Sequence, residues 1–329
     1  MSTEYILSLS YGKDSLACLE ACKQLGYPID RVVHAEVWAT DTIPADLPPM
    51  VEFKEKADRI IKERYGITVE HTCAVRERER LSYESVFYTR FAKGAKVGRI
   101  YGFPMQRGAW CNSRLKMQAL NAIAKTNIRG NILPHSTEET VSESIRGNDN
   151  RISTSNVPVV QQQTQGESPL PVGFSLSPEA QGADTNVVQY LGIAADEPER
   201  IERHKDKPGI VLPLVEIGWD EAYCRQWCEE NDLLSPIYTD SARGGCWFCH
   251  NQGVDQLRLL RKRYPDYWSL LLKWDKDSPV TFKADGRTVH DFEKRFSMED
   301  LGLVPVGTKF RWKMLQTKQS EWLDLLLCA

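Results

Sequence analysis

Six residues, Ser10-Tyr11-Gly12-Lys13-Asp14-Ser15, join a short apolar run to a helical pattern near the start of the chain, and they constrain the fold more than any other feature. Residues 5–9 (YILSL) have the length and apolar character of a buried strand. Residues 16–25 (LACLEACKQL) space their apolar positions as a helix does. A Ser/Gly-rich turn between strand and helix aims several backbone N–H groups at one spot, at the positive end of the helix dipole. Ser10, Tyr11, Gly12, Lys13, Asp14 and Ser15 therefore form a candidate anion cradle suited to nucleotide phosphates. The chain reads as an enzyme that acts on a nucleotide.

The Walker P-loop does not fit, because Leu7 occupies the place of its first Gly and Asp14 follows the Lys. The bland alternative is an ordinary strand–turn–helix with a Gly in the turn. Further elements extend the pattern. Residues 31–39 (RVVHAEVWA) read as a second strand, 50–65 as a helix, 67–73 (ITVEHTC) as a third strand and 187–193 (VVQYLGI) as a fourth. An apolar piece at 210–215 precedes a helix at 220–231. Strands and helices alternating at this spacing predict an α/β fold with a doubly wound parallel sheet, whose ligands sit at the carboxyl ends of the strands. Asp41 follows such an end, where it can reach a ribose hydroxyl or Mg²⁺, or else serve as a turn residue.

With 329 residues, 41% of them hydrophobic and 26% charged, one or two globular domains are expected. No run of 18 apolar residues occurs, and the N-terminal MSTEYILSLS lacks a basic segment followed by a long apolar stretch. Neither a membrane span nor a signal peptide is expected, and a cytoplasmic location is. The net charge of −3 exerts no global pull on nucleic acid, but residues 74–125 carry eleven Lys/Arg against three acidic residues. That segment reads equally as a solvated helix face or as a surface for an anionic substrate or RNA. Residues 127–186 are rich in Ser, Thr, Asn, Gln, Gly and Pro, with Phe174 their one aromatic, and are expected to form a disordered or weakly ordered insertion. Seven of the nine tryptophans fall in the last third, as expected for an aromatic core of a small helical region.

Cys246-Trp247-Phe248-Cys249-His250, preceded by Arg243-Gly244-Gly245, is the second strong signal. A C-x-x-C on a Gly-rich turn lets two sulfurs face one metal centre, and a closed site needs about four ligands. Cys111, Cys224, Cys228 and His250 are the candidates for the rest. Cys18 and Cys22, four apart on the first helix, read as core.

These segments together resemble the phosphoadenosine phosphosulfate (PAPS) reductase family and its relatives, the PP-loop ATP pyrophosphatases. Residues 10–15 match the family loop S-[GYF]-G-K-D-S, and Asp41-Thr42 stand where the family has Asp-Thr-Gly, with Ile43 in place of Gly. Gly192, Glu197 and Arg200 are similar to positions of G-[IL]-R-x-x-[EQ]-S-x-x-R, with Ala194 replacing the first Arg. Pro236-Ile237-Tyr238 and Gly245-Cys246-x-x-Cys249 resemble P-L-Y…G-C-x-x-C. Residues 110–116, with Cys111, Arg114 and Lys116, look like the C-C-x-x-R-K segment, Trp110 replacing the first Cys. The family's C-terminal Glu-Cys-Gly-[IL]-His has no counterpart, Cys328 being the one late cysteine.

The resemblance implies a nucleotide-binding domain at 1–126 and 187–245, interrupted by the insertion, and a helical C-terminal region at 246–329 that carries the C-x-x-C. It implies that ATP or a related adenine nucleotide binds at residues 10–15 with Gly192, Arg200, Arg114 and Lys116. Lys13, Asp14 and Asp41 would serve catalysis, with Mg²⁺. Cys111, Cys246, Cys249 and, first among candidates for the fourth place, Cys228 would hold a [4Fe–4S] cluster or Zn²⁺. The expected activity is cleavage at the α-phosphate to activate a substrate for sulfur transfer, with a sulfur donor protein or an anionic or RNA substrate as partner. Reduction of a sulfonucleotide to sulfite, or a nucleotide- and RNA-binding component that needs a partner, are the alternatives.

Overall fold

The structure, a computed structural model, describes residues 2–104, 109–126, 185–240, 244–308, 310 and 312. The expected insertion lies outside them up to residue 184, as do Arg243, Trp322 and Cys328.

In chain order, β1 (Ser2–Ser8), α1 (Lys13–Gln24), β2 (Arg31–Glu36), α2 (Pro48–Tyr65) and β3 (Val69–Cys73) alternate. A small antiparallel hairpin of β4 (Val75–Arg76) and β5 (Glu79–Arg80) follows, then α3 (Tyr83–Phe87). A π-helical turn at Asn112–Met117 runs into α4 (Gln118–Thr126). The large sheet resumes with β6 (Thr185–Tyr190), α5 (Pro198–Glu202), β7 (Ile210–Val211), α6 (Pro213–Ile217) and α7 (Glu221–Glu230). Beyond these lie α8 (Ile237–Asp240), α9 (Val254–Arg263), α10 (Pro265–Asp277) and α11 (Val289–Asp300).

Five strands form one parallel sheet in the order β3-β2-β1-β6-β7, so the fold is α/β. Chain direction across the sheet reverses between β1 and β6: the chain steps one way from β1 to β3 and the other way from β6 to β7. The crevice beyond the carboxyl ends of β1 and β6 is where ligands of such sheets bind.

Local chemistry accounts for the boundaries. Helix α2 starts on Pro48 and Pro49, whose missing N–H groups cost nothing in a first turn. The apolar piece at 210–215 divides because Pro213 cannot continue a ladder and instead opens α6. Asp220 caps α7 by accepting from the Tyr223 amide. Strand β6 begins at Thr185, two residues earlier than its sequence suggested, because Thr185 and Asn186 still pair with Ser2 and Thr3.

One buried core joins β1, α1, α2 and α7 and takes in Leu7, Leu16, Leu19, Phe53, Ile61 and Trp227. A second runs through α9–α11 around Trp268, Trp274, Phe292 and Phe296 and continues into Val37, Ala45, Tyr83, Phe87 and Phe103. The C-terminal helices thus share a core with the segments beyond β2 and β3. Among the described residues no helix is long and apolar enough to cross a membrane.

Candidate functional site

The turn at residues 10–15 leaves the end of β1 and is held from within. The Ser15 hydroxyl accepts from the Ser10 amide at 3.1 Å, meets Ser10 Oγ at 3.0 Å and donates to the Gly12 carbonyl at 3.0 Å. The N-cap of α1 is Gly12, which offers no side chain to the first-turn amides. Tyr238, from α8, brings its hydroxyl to the Lys13 amide at 3.3 Å. Gly192, two residues past β6, packs on the same turn: a Cβ there would stand 2.6 Å from the Asp14 carbonyl and 2.7 Å from the Ser15 amide nitrogen.

Three carboxylates converge on this corner. Oxygens of Asp14, Glu197 and Glu221 lie within 4.8 Å of one another. Lys13 Nζ sits 2.8 Å from Asp14 and 3.5 Å from Glu221, and Arg200 pairs with Glu197 at 2.5 Å. Burial, with Glu221 and Glu197 nearby, raises the Asp14 carboxyl although Lys13 opposes the shift. Burial works against the Lys13 ammonium, yet Asp14 holds it above the usual lysine range. The corner therefore carries a surplus of negative charge that a cation would relieve.

Tyr11 ties the turn to a buried polar chain. Its backbone is left-handed, at φ +55°, and its ring is fully buried. The phenol donates to Asp58 and lies 3.1 Å from His71 Nε2. His71 is clamped between Asp58 at 2.8 Å and Glu36 at 3.0 Å. Burial disfavours its charge, but the two carboxylates outweigh burial and hold the imidazolium up to about 9. His34, whose ring stands edge-on to Tyr11 at 4.8 Å, has the opposite character. Its Nδ1 donates to the Leu9 carbonyl and its Nε2 accepts from Lys54, both at 2.8 Å. Burial and then the Lys54 charge push it down to about 4, so it is neutral. Lys54 pairs in turn with Asp46 at 2.5 Å.

Asp46 leads to the second feature. The segment after β2 folds back, Ala45 bonding to Val37, and Trp247 of the C-x-x-C docks on it through its amide to Ala45 and its indole to Pro44, each at 3.0 Å. Gly245, at φ +138°, supplies a backbone conformation that glycine adopts readily. Cys111, Cys246 and Cys249 line one cavity of about 170 Å³ with Tyr83, Lys116, His250 and Gln252. Burial pushes the Cys246 thiol up to about 12 despite Lys116, and raises Cys111 as well. Their sulfurs do not all lie within 4.8 Å of one another: Asp14, Glu197 and Glu221 are the one trio of potential ligands among the described residues that does.

Cys228 is not brought to that cavity. It is buried in the other core, beside α1, where its thiol donates to the Lys13 carbonyl at 3.4 Å. Its place as fourth ligand is therefore corrected: a helix-buried cysteine behaves here as a small apolar residue. Cys224, Cys18 and Cys22 belong to the same core. Asp41 is exposed at the tip of the 37–47 segment, where its carbonyl accepts from Arg80, and it stands outside the carboxylate group.

Arg114 and Lys116 belong to a basic face. Arg114 stacks on Tyr101 at 4.9 Å and donates to its hydroxyl at 3.0 Å. One turn further, Gln118 donates to Val75 of the β4–β5 hairpin at 3.1 Å. The hairpin with exposed Arg76, Arg78 and Arg80 and the loop with exposed Arg90, Lys93, Lys96 and Arg99 thus flank one helix. Among the described residues none of these seven forms an ion pair, whereas Arg31, Arg258, Arg261 and Arg287 each hold a carboxylate.

Sequence reasoning had marked Tyr238 through Pro236-Ile237-Tyr238 and missed Glu221, Tyr83, Gln252 and the Asp58–His71–Glu36 chain that Tyr11 joins. Only the last left a signal: a His and a Glu inside the otherwise apolar run RVVHAEVWA mark a strand with buried polar partners. No protein-family model, curated protein or solved structure matches the chain.

Proposed function

We propose that this chain is a doubly wound PP-loop enzyme, similar to the PAPS reductases, that binds ATP or a related adenine nucleotide at residues 10–15, cleaves it at the α-phosphate and activates a substrate for sulfur transfer. One observation carries the reading. The uncapped start of α1, the close-packed Gly192 and three carboxylates meet where the strand order reverses, and the three-cysteine cavity lies past the end of β2. Amides of the α1 first turn and Lys13 neutralise phosphate charge, and catalysis is chiefly positioning and electrostatics. Asp14, Glu197 and Glu221 fit Mg²⁺, a hard cation that takes oxygen ligands and bridges phosphates. Of the two Mg²⁺ positions the sequence suggested, Asp14 has further carboxylates beside it and Asp41 does not.

Cys111, Cys246 and Cys249 fit a [4Fe–4S] cluster better than zinc. Four sulfurs on one tetrahedral zinc, each at about 2.3 Å from the ion, stand about 3.8 Å apart. The three here do not all lie within 4.8 Å of one another, as suits sulfurs bonded to separate irons. When bound, the cluster supplies an iron with a place for transferable sulfur. With Cys228 in the other core, three cysteines would ligate three irons and leave the fourth open for sulfur. Lys116, on the cavity wall, faces an anionic substrate.

Anaerobic purification followed by iron, zinc and sulfide analysis tests the cysteine site, and pyrophosphate release from ATP tests the turn. Iron and sulfide in equal amounts together with pyrophosphate support the reading. Zinc without sulfide removes the sulfur-carrying step. Sulfite released from a sulfonucleotide with a thiol, and no pyrophosphate from ATP, would favour the reductase instead.

The unpaired basic face favours a second reading, a nucleotide-binding component that turns over only with an RNA partner. Clustered cations that outnumber the local carboxylates, here Glu77, Glu79 and Glu84, raise the potential over one face and bind phosphate backbones in a salt-dependent way. ATP binding without turnover by the chain alone, and turnover on adding RNA, would select it.

A further inference from the structure

Two polar atoms in the cysteine cavity are buried and unpartnered: the Tyr83 hydroxyl and Gln252 Oε1. A buried donor or acceptor left unpaired costs about 1–3 kcal/mol, and here two of them line one small cavity with three thiols. The orientation of Gln252 is fixed, because its Nε2 donates to the Cys246 carbonyl at 2.9 Å and turns Oε1 away from it. Tyr83 is equally well placed. It opens α3 behind a reciprocal Ser82–Ser85 cap, its amide donates to the Trp38 carbonyl at 2.7 Å, and its ring lies 4.2 Å from Phe248, 4.8 Å from Trp110 and 5.1 Å from Trp274.

We infer that Tyr83 is a positioning residue of the cysteine site, its hydroxyl donating a hydrogen bond to the sulfur-rich group that Cys111, Cys246 and Cys249 hold. A phenol is protonated at neutral pH and so is a donor there. Donors to cluster sulfur stabilise the reduced, more negative state and so raise the reduction potential. The caged ring gives Tyr83 no other direction in which to aim. The inference rests on the reading that these cysteines hold an iron–sulfur cluster.

The test is a redox titration of the anaerobically reconstituted full-length protein, followed by optical or electron paramagnetic resonance spectroscopy, in wild type and Tyr83→Phe. The ring and its packing are kept in this variant, so iron and sulfide content should be unchanged. The midpoint potential is expected to shift to a more negative value. A cluster retained with an unchanged potential overturns the inference and leaves the cluster reading intact. A wild-type protein that takes up no iron overturns the cluster reading and this inference with it. If Tyr83→Phe fails to fold, 3-fluorotyrosine at position 83 keeps the shape and strengthens only the donor. Its potential should move positive, and no movement would overturn the inference.

Discussion

Gly192 and Ser15 stand so close that a single methyl group between them is excluded: a Cβ on Gly192 would lie 2.7 Å from both the Ser15 amide nitrogen and its Cα. The glycine that follows β6 is thus what lets the start of α1 settle between β1 and β6. Gly192→Ala must move the 10–15 turn or the strand end. Overpacking of this kind costs about 1–3 kcal/mol, to be read from urea denaturation. If the turn is the nucleotide site, the ATP dissociation constant rises about tenfold or more, equivalent to about 1.4 kcal/mol or more, in a calorimetric titration. Lost stability with unchanged ATP affinity would show that the nucleotide binds elsewhere.

Tyr11 presents the opposite problem, a large residue where the backbone favours glycine. Its left-handed conformation costs about 1–2 kcal/mol, and the fully buried ring with its bond to Asp58 must offset that. Tyr11→Gly relieves the strain but loses a buried aromatic, worth about 3–5 kcal/mol, so a net loss of about 1–4 kcal/mol is expected. Tyr11→Phe keeps the ring and forfeits only the hydroxyl, for about 1–2 kcal/mol. Urea midpoints for the two variants check the order. A glycine variant as stable as wild type would mean that Tyr11 does not anchor the turn.

The legibility of this chain depended on whether a feature was local. Strand β1, helix α1 and the turn between them declare themselves through periodicity and through Ser and Gly at the junction, and α2 ends at Tyr65 both in the pattern and in space. The C-x-x-C and Cys111, grouped from the sequence because thiol chemistry restricts their use, line one cavity. Cys228 was misread because helical spacing cannot say which core a helix face meets, and α7 turns that face toward α1. Glu221 looks like any acid in a first turn, and only the fold sets it beside Asp14. Tyr83 could not be found from sequence at all, since an orphaned hydroxyl is a property of its surroundings.

His34 and His71, neighbours beneath the turn with rings 5.5 Å apart, make stability fall on both sides of neutrality. His71 is held up to about 9 against an ordinary 6.5, so the folded chain binds the extra proton. Its contribution is complete below pH 6.5 and is lost as pH rises through 9. His34 is pushed down to about 4, so between pH 6.5 and 4 the unfolded chain takes a proton that the folded one refuses. Burial works against the Glu36 carboxylate, yet His71 and Lys54 hold it down to about 2. Glu36 therefore contributes fully above pH 4.5 and loses that contribution as pH falls toward 2. These three groups place the stability maximum near pH 6.5, with a decline on the order of 1–3 kcal/mol by pH 9. Urea unfolding across pH should show it. His71→Gln should flatten the alkaline limb and also weaken the Glu36 limb below pH 4.5, since Glu36 loses its imidazolium partner. His34→Gln should flatten the limb between pH 6.5 and 4. An alkaline limb unchanged in His71→Gln would assign it to other groups.

Cys228 and Cys246 are both buried enough to carry thiols raised to about 12, yet they should answer differently to substitution. Cys246 shares its cavity with Cys111 and Cys249, so Cys246→Ser and Cys111→Ser each remove one of three sulfurs and should abolish iron retention. Cys228 packs against α1 with only a carbonyl as polar partner, so Cys228→Ala should keep full iron content. It should cost about 1–2 kcal/mol through lost packing, visible in the urea midpoint. Iron lost from Cys228→Ala at full secondary structure would return that residue to the ligand set. It would also mean that α7 stands closer to the C-x-x-C when metal is bound than it does here. Iron kept in Cys246→Ser would remove the C-x-x-C from the site and with it the sulfur-transfer reading, while leaving the nucleotide reading of the 10–15 turn untouched.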